Sequence, residues 1–223
     1  MRLQVAIDRV NLKTAEAMIE EMRGMADIIE VGTSLIKDYG LENSVARFKK
    51  RFPDQCFLAD IKTCDEGAYE FRKSYEAGGD IPTVMGFSSI TTIRACAGVA
   101  GELGKEYMID LLEVPADRIR ALCEVFPEAI FCIHLPSDKQ GEGLVELVKS
   151  SVKELSGAKK IAVAGGVTLG MVPVLKSCGI EIGIVGSAIT KSENKHEMAA
   201  RFAEARLCPS GFCHQFSGRF SQP

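Results

Sequence analysis

CFLADIKTCDEGAYEFRKSYEAG, residues 56–78, changes its hydrophobic period partway along. CFLAD (56–60) is short and apolar up to its last residue, as a strand buried on both faces should be. AYEFRKSYEAG (68–78) spaces its apolar residues near the 3.6 of a helix, and Gly78 closes it as a C-cap would. Between the two, Asp60, Lys62 and Asp65 fall within six positions. The segment reads as strand, charged loop and helix, which is one βα unit.

The rest of the chain repeats that unit. Strand candidates are LQVAID (3–8), DIIEV (27–31), DIPTVM (80–85), EYMIDLL (106–112), AIFCIHL (129–135), KIAVAG (160–165) and EIGIVG (181–186), besides CFLAD. Helical spacing recurs between them, in TAEAMIEEMRGM (14–25), TIRACAGVAGEL (92–103) and GLVELVKSSVKEL (143–155). Gly24, Gly104 and Gly179 are placed as further C-caps. Eight βα units predict a single (β/α)8 TIM barrel, α/β in class, with parallel strands inside and helices outside. An open doubly wound sheet is the other arrangement this pattern allows. No GxGxxG follows the first strand, where RVNLKTAE (9–16) stands instead. Pro82 conflicts with a central strand, because it has no N–H for the ladder, and is expected at a strand start or a bulge. Periodicity ends near residue 207. The expected organisation is a barrel over 1–206 and an irregular tail over 207–223, LCPSGFCHQFSGRFSQP.

Composition excludes several classes. The 223 residues are 46% hydrophobic with a net charge of −3, enough apolar material for a sizeable core and no basic surface of the kind nucleic-acid binding needs. No apolar run approaches the roughly 18 residues of a membrane span. MRLQVAID reads as a strand and not as a signal peptide, so a cytoplasmic protein is expected. The eight cysteines form no CxxC pair. Cys56, Cys132 and Cys178 lie within or beside apolar runs, so the cysteines read as free thiols in a reducing compartment. They are too dispersed for a zinc site.

In a βα barrel, chemistry gathers where strands end and βα loops begin. The polar residues there are Asp8, Glu30, Asp60 with Lys62, Asp110, His134, then Gly165-Gly166 and Gly186-Ser187. Acids on one rim repel unless a cation lies among them. Strand period two turns Asp60 and Lys62 to one face and Ile61 to the helices, while Asp65 lies beyond, near a helix start that favours a carboxylate. Such a lysine stays charged and can stabilise an oxyanion or deliver a proton. An ion-pair cluster closing the barrel end would also look like this. Glu30 and Asp60 together could hold Mg²⁺, with waters and substrate oxygens completing its shell; alternatively Glu30 pairs with Lys62. His134 is the one histidine at a strand end, either a proton carrier or a satisfied rim residue. VAGGVT (163–168) and IVGSAIT (184–190) put glycine turns after the last two strands, where barrels commonly bind phosphate. A small phosphorylated metabolite is the implied substrate.

The motif DIKTCD (60–65) resembles the Asp-x-Lys-x-x-Asp signature of the orotidine 5′-phosphate decarboxylase superfamily. The resemblance extends through LQVAID, DIIEVGTSLIKDYG (27–40), LADIKTCDEGAYE (58–70), AVAGGV (162–167) and IVGSAIT, to about residue 206. It is nearest to the sugar-phosphate branch of 3-hexulose-6-phosphate synthases and 3-keto-L-gulonate-6-phosphate decarboxylases. MGFS (85–88) and MIDLLEVP (108–115) are similar to the synthase pattern. Ser137 and Ser187 stand where the decarboxylases carry arginines, while Leu135 stands where the synthases generally carry a small polar residue. What the resemblance implies is a reversible aldol reaction joining formaldehyde to D-ribulose 5-phosphate. Mg²⁺ would sit on Glu30 and Asp60, Lys62 would offset the carboxylates and an enediolate, and His134 would move the C1 proton. Asp8 and Asp110 would orient substrate hydroxyls, and Gly166, Gly186 and Ser187 would hold the phosphate. The resemblance further implies a homodimer in which Asp65 acts in the partner's site. Decarboxylation of 3-keto-L-gulonate 6-phosphate and a non-catalytic sugar-phosphate-binding barrel are the alternative readings.

Overall fold

The computed structural model of this chain describes residues 1–136, 139 and 142–207. Eight strands follow one another: β1 (Arg2–Ile7), β2 (Ile28–Val31), β3 (Cys56–Thr63), β4 (Ile81–Met85), β5 (Met108–Asp110), β6 (Ile130–His134), β7 (Lys160–Ala164) and β8 (Ile182–Val185). Each lies parallel to the next, and β8 returns to β1 through the register Arg2↔Ile182 to Val5↔Val185, closing the barrel. That closure rules out the open sheet.

The helices are α1 (Leu12–Glu21), α2 (Thr33–Leu41), α3 (Arg47–Arg51), α4 (Gly67–Glu76), α5 (Ile90–Leu103), α6 (Ala116–Val125), α7 (Leu144–Glu154), α8 (Val172–Ser177), the single turn α9 (Ser187–Thr190) and α10 (Lys195–Leu207). Three start on side-chain caps, with Asn11 accepting from the Thr14 N–H at 2.9 Å, Ser89 from the Thr92 N–H at 3.0 Å and Asn194 from the Glu197 N–H at 3.0 Å. Gly104 ends α5 at φ 62°, in the left-handed region that glycine enters without a Cβ penalty.

Period two along each strand divides the core into two layers. On β3, Phe57 and Ala59 face the helices while Leu58 faces inward; on β6, Phe131 and Ile133 face out while Ile130 and Cys132 face in. The inner layer is completed by Ile28, Ile81, Met108, Ala162, Ala164, Ile182 and Ile184. The outer layer carries Phe48, Phe71 and Phe202, all essentially fully buried. Cys132 belongs to the inner layer and Cys96 and Cys123 to the outer. Cys56, Cys64, Cys96, Cys123, Cys132 and Cys178 are free thiols; Cys208, Cys213, Ser137 and the tail from 208 onward lie outside the described residues.

Pro82 is the second residue of β4, and its conflict with the ladder is resolved by a bulge. Pairing passes from Ala59↔Pro82 to Thr63↔Val84, so β3 advances four residues while β4 advances two. The irregular stretch, Asp60 to Lys62, is the stretch that carries the charges.

At the N-terminal strand ends charges are matched in pairs. Arg2 meets Glu181 at 3.2 Å, Arg206 of α10 pairs with Asp27, and Lys160 pairs with Glu106. Asp80, just before β4, accepts from the Phe57 N–H at 3.0 Å and from Lys49 and Lys105 at 3.0 and 2.9 Å. Burial opposes its ionisation, but the Phe57 N–H and the two ammonium groups outweigh it and hold the carboxyl below its ordinary 3.8. A depressed folded-state pKa stabilises the fold above the ordinary value and ceases to do so as pH falls through the depressed one. Asp80→Asn is therefore expected to cost about 2 kcal/mol at pH 7. In urea unfolding, the difference from wild type should narrow progressively once the pH is taken below 3.8.

Candidate active site

The inward positions turn from apolar to polar at the C-terminal strand ends. Glu30 lies one inward step beyond Ile28, Asp60 one beyond Leu58, Thr83 one beyond Ile81, Asp110 one beyond Met108, and His134 one beyond Cys132. The same alternation that builds the inner core thus delivers these side chains to one mouth.

Lys62 is their centre. Its Nζ stands 3.1 Å from Asp60 Oδ2 and 2.9 Å from Asp110 Oδ2. Asp110, 3% exposed, also holds His134, whose Nδ1 lies 2.8 Å from Oδ2 and 3.0 Å from Oδ1, and Oδ1 accepts from the Leu112 N–H at 2.9 Å. Asp60 is held from two sides. Thr83 donates to Oδ1 at 2.9 Å and Thr33, on the first turn of α2, donates to Oδ2 at 2.7 Å. Lys62 itself has φ +49°, a left-handed backbone that costs a non-glycine residue on the order of 1 kcal/mol or more.

This arrangement separates the acids electrostatically. Burial would raise the Asp110 carboxyl, but the His134 hydrogen bond and charge, and then Lys62, bring it down to about 2. Burial works against charging Lys62, yet Asp60 and Asp110 together lift its pKa well above the ordinary lysine value. At neutral pH this sets a fixed ammonium against the ionised Asp110. Glu30 behaves oppositely: burial, and then the charge of Asp60, push it up to about 8 despite a 2.6 Å hydrogen bond from Gln4 Nε2. Glu30 makes no ion pair with Lys62 among the described residues, which removes that alternative.

No three His, Cys, Asp or Glu side chains converge on one metal position among the described residues. The donors present are a pair of carboxylates, Glu30 and Asp60, close enough for one to destabilise the other's charge. That set suits Mg²⁺, which takes one or two carboxylates and completes its shell with water and substrate oxygens.

Other expected residues lie around the rim. Asp8 is exposed, and its Oδ1 accepts from the Ser34 N–H at 3.0 Å, the Ser34 hydroxyl and the Arg9 N–H, tying the end of β1 to the start of α2. Gly32 between them has no room for a side chain, since a Cβ would stand 2.7 Å from Asp8 Cγ. Asp65 is exposed on the β3–α4 loop, accepts from the Glu66 N–H at 2.9 Å, and is not joined to the Lys62 network. Gly165 and Gly166 turn the chain after β7 with φ +99° and +92°. Gly186 precedes α9, whose first residue is Ser187.

Sequence reasoning missed Gln4, Thr33 and Thr83. Each had a signal: Gln4 and Thr83 are inward polar residues in otherwise apolar strands, and Thr33 follows the glycine after β2.

Comparison with known proteins gives a consistent result. The family model described as orotidine 5′-phosphate decarboxylase / HUMPS family matches residues 1–202. A 3-hexulose-6-phosphate synthase from Bacillus subtilis (strain 168) is 33% identical over 211 residues, covering 92% of this chain and 98% of that protein. Another, from Methylomonas aminofaciens, is 32% identical over 189 residues, covering 83% and 90%. The solved structure of a 3-hexulose-6-phosphate synthase from Salmonella typhimurium superposes with a TM-score of 0.86 at 31% identity, over 93% of this chain and 99% of that one.

The raised pKa of Glu30 has a measurable consequence in chelated protein. A carboxyl that is more basic in the fold than in the unfolded chain stabilises fully below its ordinary value of 4.5, and that contribution disappears as pH rises through about 8. Glu30→Gln is expected to match wild type in thermal stability near pH 5 and to exceed it by roughly 5 °C near pH 9. Parallel melting curves at the two pH values would contradict the assignment.

Proposed function

Since the chain belongs to the orotidine 5′-phosphate decarboxylase / HUMPS family, we propose that it is an aldehyde-lyase acting as a 3-hexulose-6-phosphate synthase. It joins formaldehyde to D-ribulose 5-phosphate, giving D-arabino-hex-3-ulose 6-phosphate. The observation that carries this reading is the Lys62 ammonium fixed between Asp60 and Asp110, with His134 on the same Asp110.

The chemistry follows from who holds whom. Asp110 is an anion at neutral pH, so His134 Nδ1 carries the hydrogen it donates, and Nε2 is the nitrogen left to act. Nε2 takes the C1 proton of ribulose 5-phosphate, and the electron pair moves onto the adjacent carbonyl oxygen as an enediolate. C1 then attacks the formaldehyde carbon, forming the new C–C bond, and the resulting alkoxide takes a proton back. Lys62 offsets the negative charge throughout, in a site where that charge is not screened by bulk water. Glu30 and Asp60 would hold Mg²⁺, which when bound supplies Lewis-acid stabilisation of developing negative charge.

Substrate placement is assigned to the rim. Asp8 keeps Oδ2 for a substrate hydroxyl, its other oxygen being engaged by Ser34 and Arg9. Asp110, whose oxygens serve Lys62, His134 and Leu112, acts mainly by holding them. Backbone N–H groups at Gly166, Gly186 and Ser187 seat the phosphate. Asp65, exposed and outside the network, serves the partner's site in a homodimer. A cytoplasmic setting accords with the free thiols, and no helix of the described residues is long and apolar enough to cross a membrane.

The purified protein with Mg²⁺ should consume ribulose 5-phosphate only when formaldehyde is present, lose that activity to EDTA, and regain it on adding Mg²⁺. Lys62→Ala should lower kcat by about 10³-fold. A higher kcat/KM for releasing CO₂ from 3-keto-L-gulonate 6-phosphate would make it a decarboxylase. Thermal stabilisation by sugar phosphates with no product of either kind would make it a binding protein.

A further inference from the structure

We propose that Thr83 is a positioning residue that aims Lys62, holding the lysine's backbone and the carboxylate it pairs with through one hydroxyl. Thr83 is 2% exposed, in the middle of β4. Its Oγ1 lies 2.9 Å from the Lys62 backbone nitrogen and 2.9 Å from Asp60 Oδ1. The directions are fixed by chemistry: a backbone N–H can only donate, so Oγ1 accepts from Lys62 and its own hydrogen goes to Asp60.

The backbone around Lys62 explains why such a hold is required. Between Ala59 and Thr63 the β3–β4 register slips, so the Lys62 N–H has no regular strand partner. Pro82, which pairs with Ala59 before the slip, lies just ahead of Thr83 on β4. The hydroxyl of the next residue stands in for the missing ladder bond and retains Lys62 at φ +49°, a conformation that an L-residue leaves readily for the β region. Relaxation of that kind would redirect the lysine side chain, because neighbouring strand positions face opposite sides of the sheet. Threonine suits the task better than serine: its β-branch restricts χ1, so the hydroxyl cannot easily swing away.

Among the described residues Thr83 makes no hydrogen bond to the Lys62 ammonium, whose partners are Asp60 and Asp110, so its influence is through backbone position and through Asp60. The proposal rests on the aldolase reading only where turnover is measured; where Lys62 points can be read without it. Two readouts are needed in Thr83→Val, Thr83→Ser and Thr83→Ala. The first is kcat and KM for the formaldehyde-dependent reaction. The second is the rate of Lys62 acetylation by acetic anhydride, followed by mass spectrometry relative to exposed Lys13 and Lys50.

Thr83→Val is expected to lower kcat by about 10²-fold with KM little changed, and to make Lys62 react several-fold faster relative to the exposed lysines. Thr83→Ser should stay near wild type in both. A folded Thr83→Val with wild-type kcat and Lys62 reactivity overturns the proposal, and so does a Thr83→Ser that loses as much as Thr83→Ala. If Thr83→Val fails to fold, the serine and alanine variants make the same comparison. If wild type shows no formaldehyde-dependent turnover, the functional reading falls while the acetylation series still decides whether Thr83 aims Lys62.

Discussion

A single ammonium sets the terms at the mouth of this barrel. Three carboxyl groups converge there from β2, β3 and β5, and mutual repulsion would protonate or displace them without a cation. Lys62 bonds directly to two of them. The third, Glu30, is not bonded to it, and burial and then the charge of Asp60 push its carboxyl up to about 8. Asp110, bonded to both His134 and Lys62, is driven the opposite way to Glu30. The imidazole's orientation follows from the same group, because the Asp110 that pairs with Lys62 also holds His134 Nδ1.

The two ends of the barrel handle charge in contrasting ways. At the strand starts, acids and bases are matched locally, Arg2 with Glu181 and Asp80 between Lys49 and Lys105, and most of these groups keep partial access to water. Such pairs add modest stability and fix the closure. At the strand ends, acids outnumber bases and burial is deeper. Charge left over at that end is what a cation or a reacting substrate can answer. Stability is concentrated at one rim and chemistry at the other, as expected when the inner core isolates them.

Much of this was legible from residues alone because period and position do the encoding. Near-continuous apolar runs such as AIFCI and IAVA announce strands covered on both faces, and inward parity then fixes where Asp60, Asp110 and His134 emerge. The bulge was less visible: Pro82 marked an irregularity, but nothing local told that β3 gains residues there or that Lys62 would adopt a positive φ. Asp110 was recognised as a rim acid, whereas its place between Lys62 and His134 depends on the stagger of three strands around a closed sheet. Gln4, Thr33 and Thr83 were overlooked because a neutral polar side chain in a strand signals nothing until its partner across the barrel is known.

Gly165 has no side chain because the neighbouring loop occupies the space: a Cβ there would stand 2.1 Å from the carbonyl oxygen of Leu135. Leu135 directly follows His134. The turn after β7 and the end of β6 are consequently held at one separation, by this close packing and by the hydrogen bond from the Leu135 N–H to the Ala164 carbonyl oxygen at 3.1 Å. In the proposed reaction an anion seated on that turn would be gauged against His134 as if by a fixed caliper, so sugar phosphates one carbon shorter or longer would present the wrong atom to the imidazole.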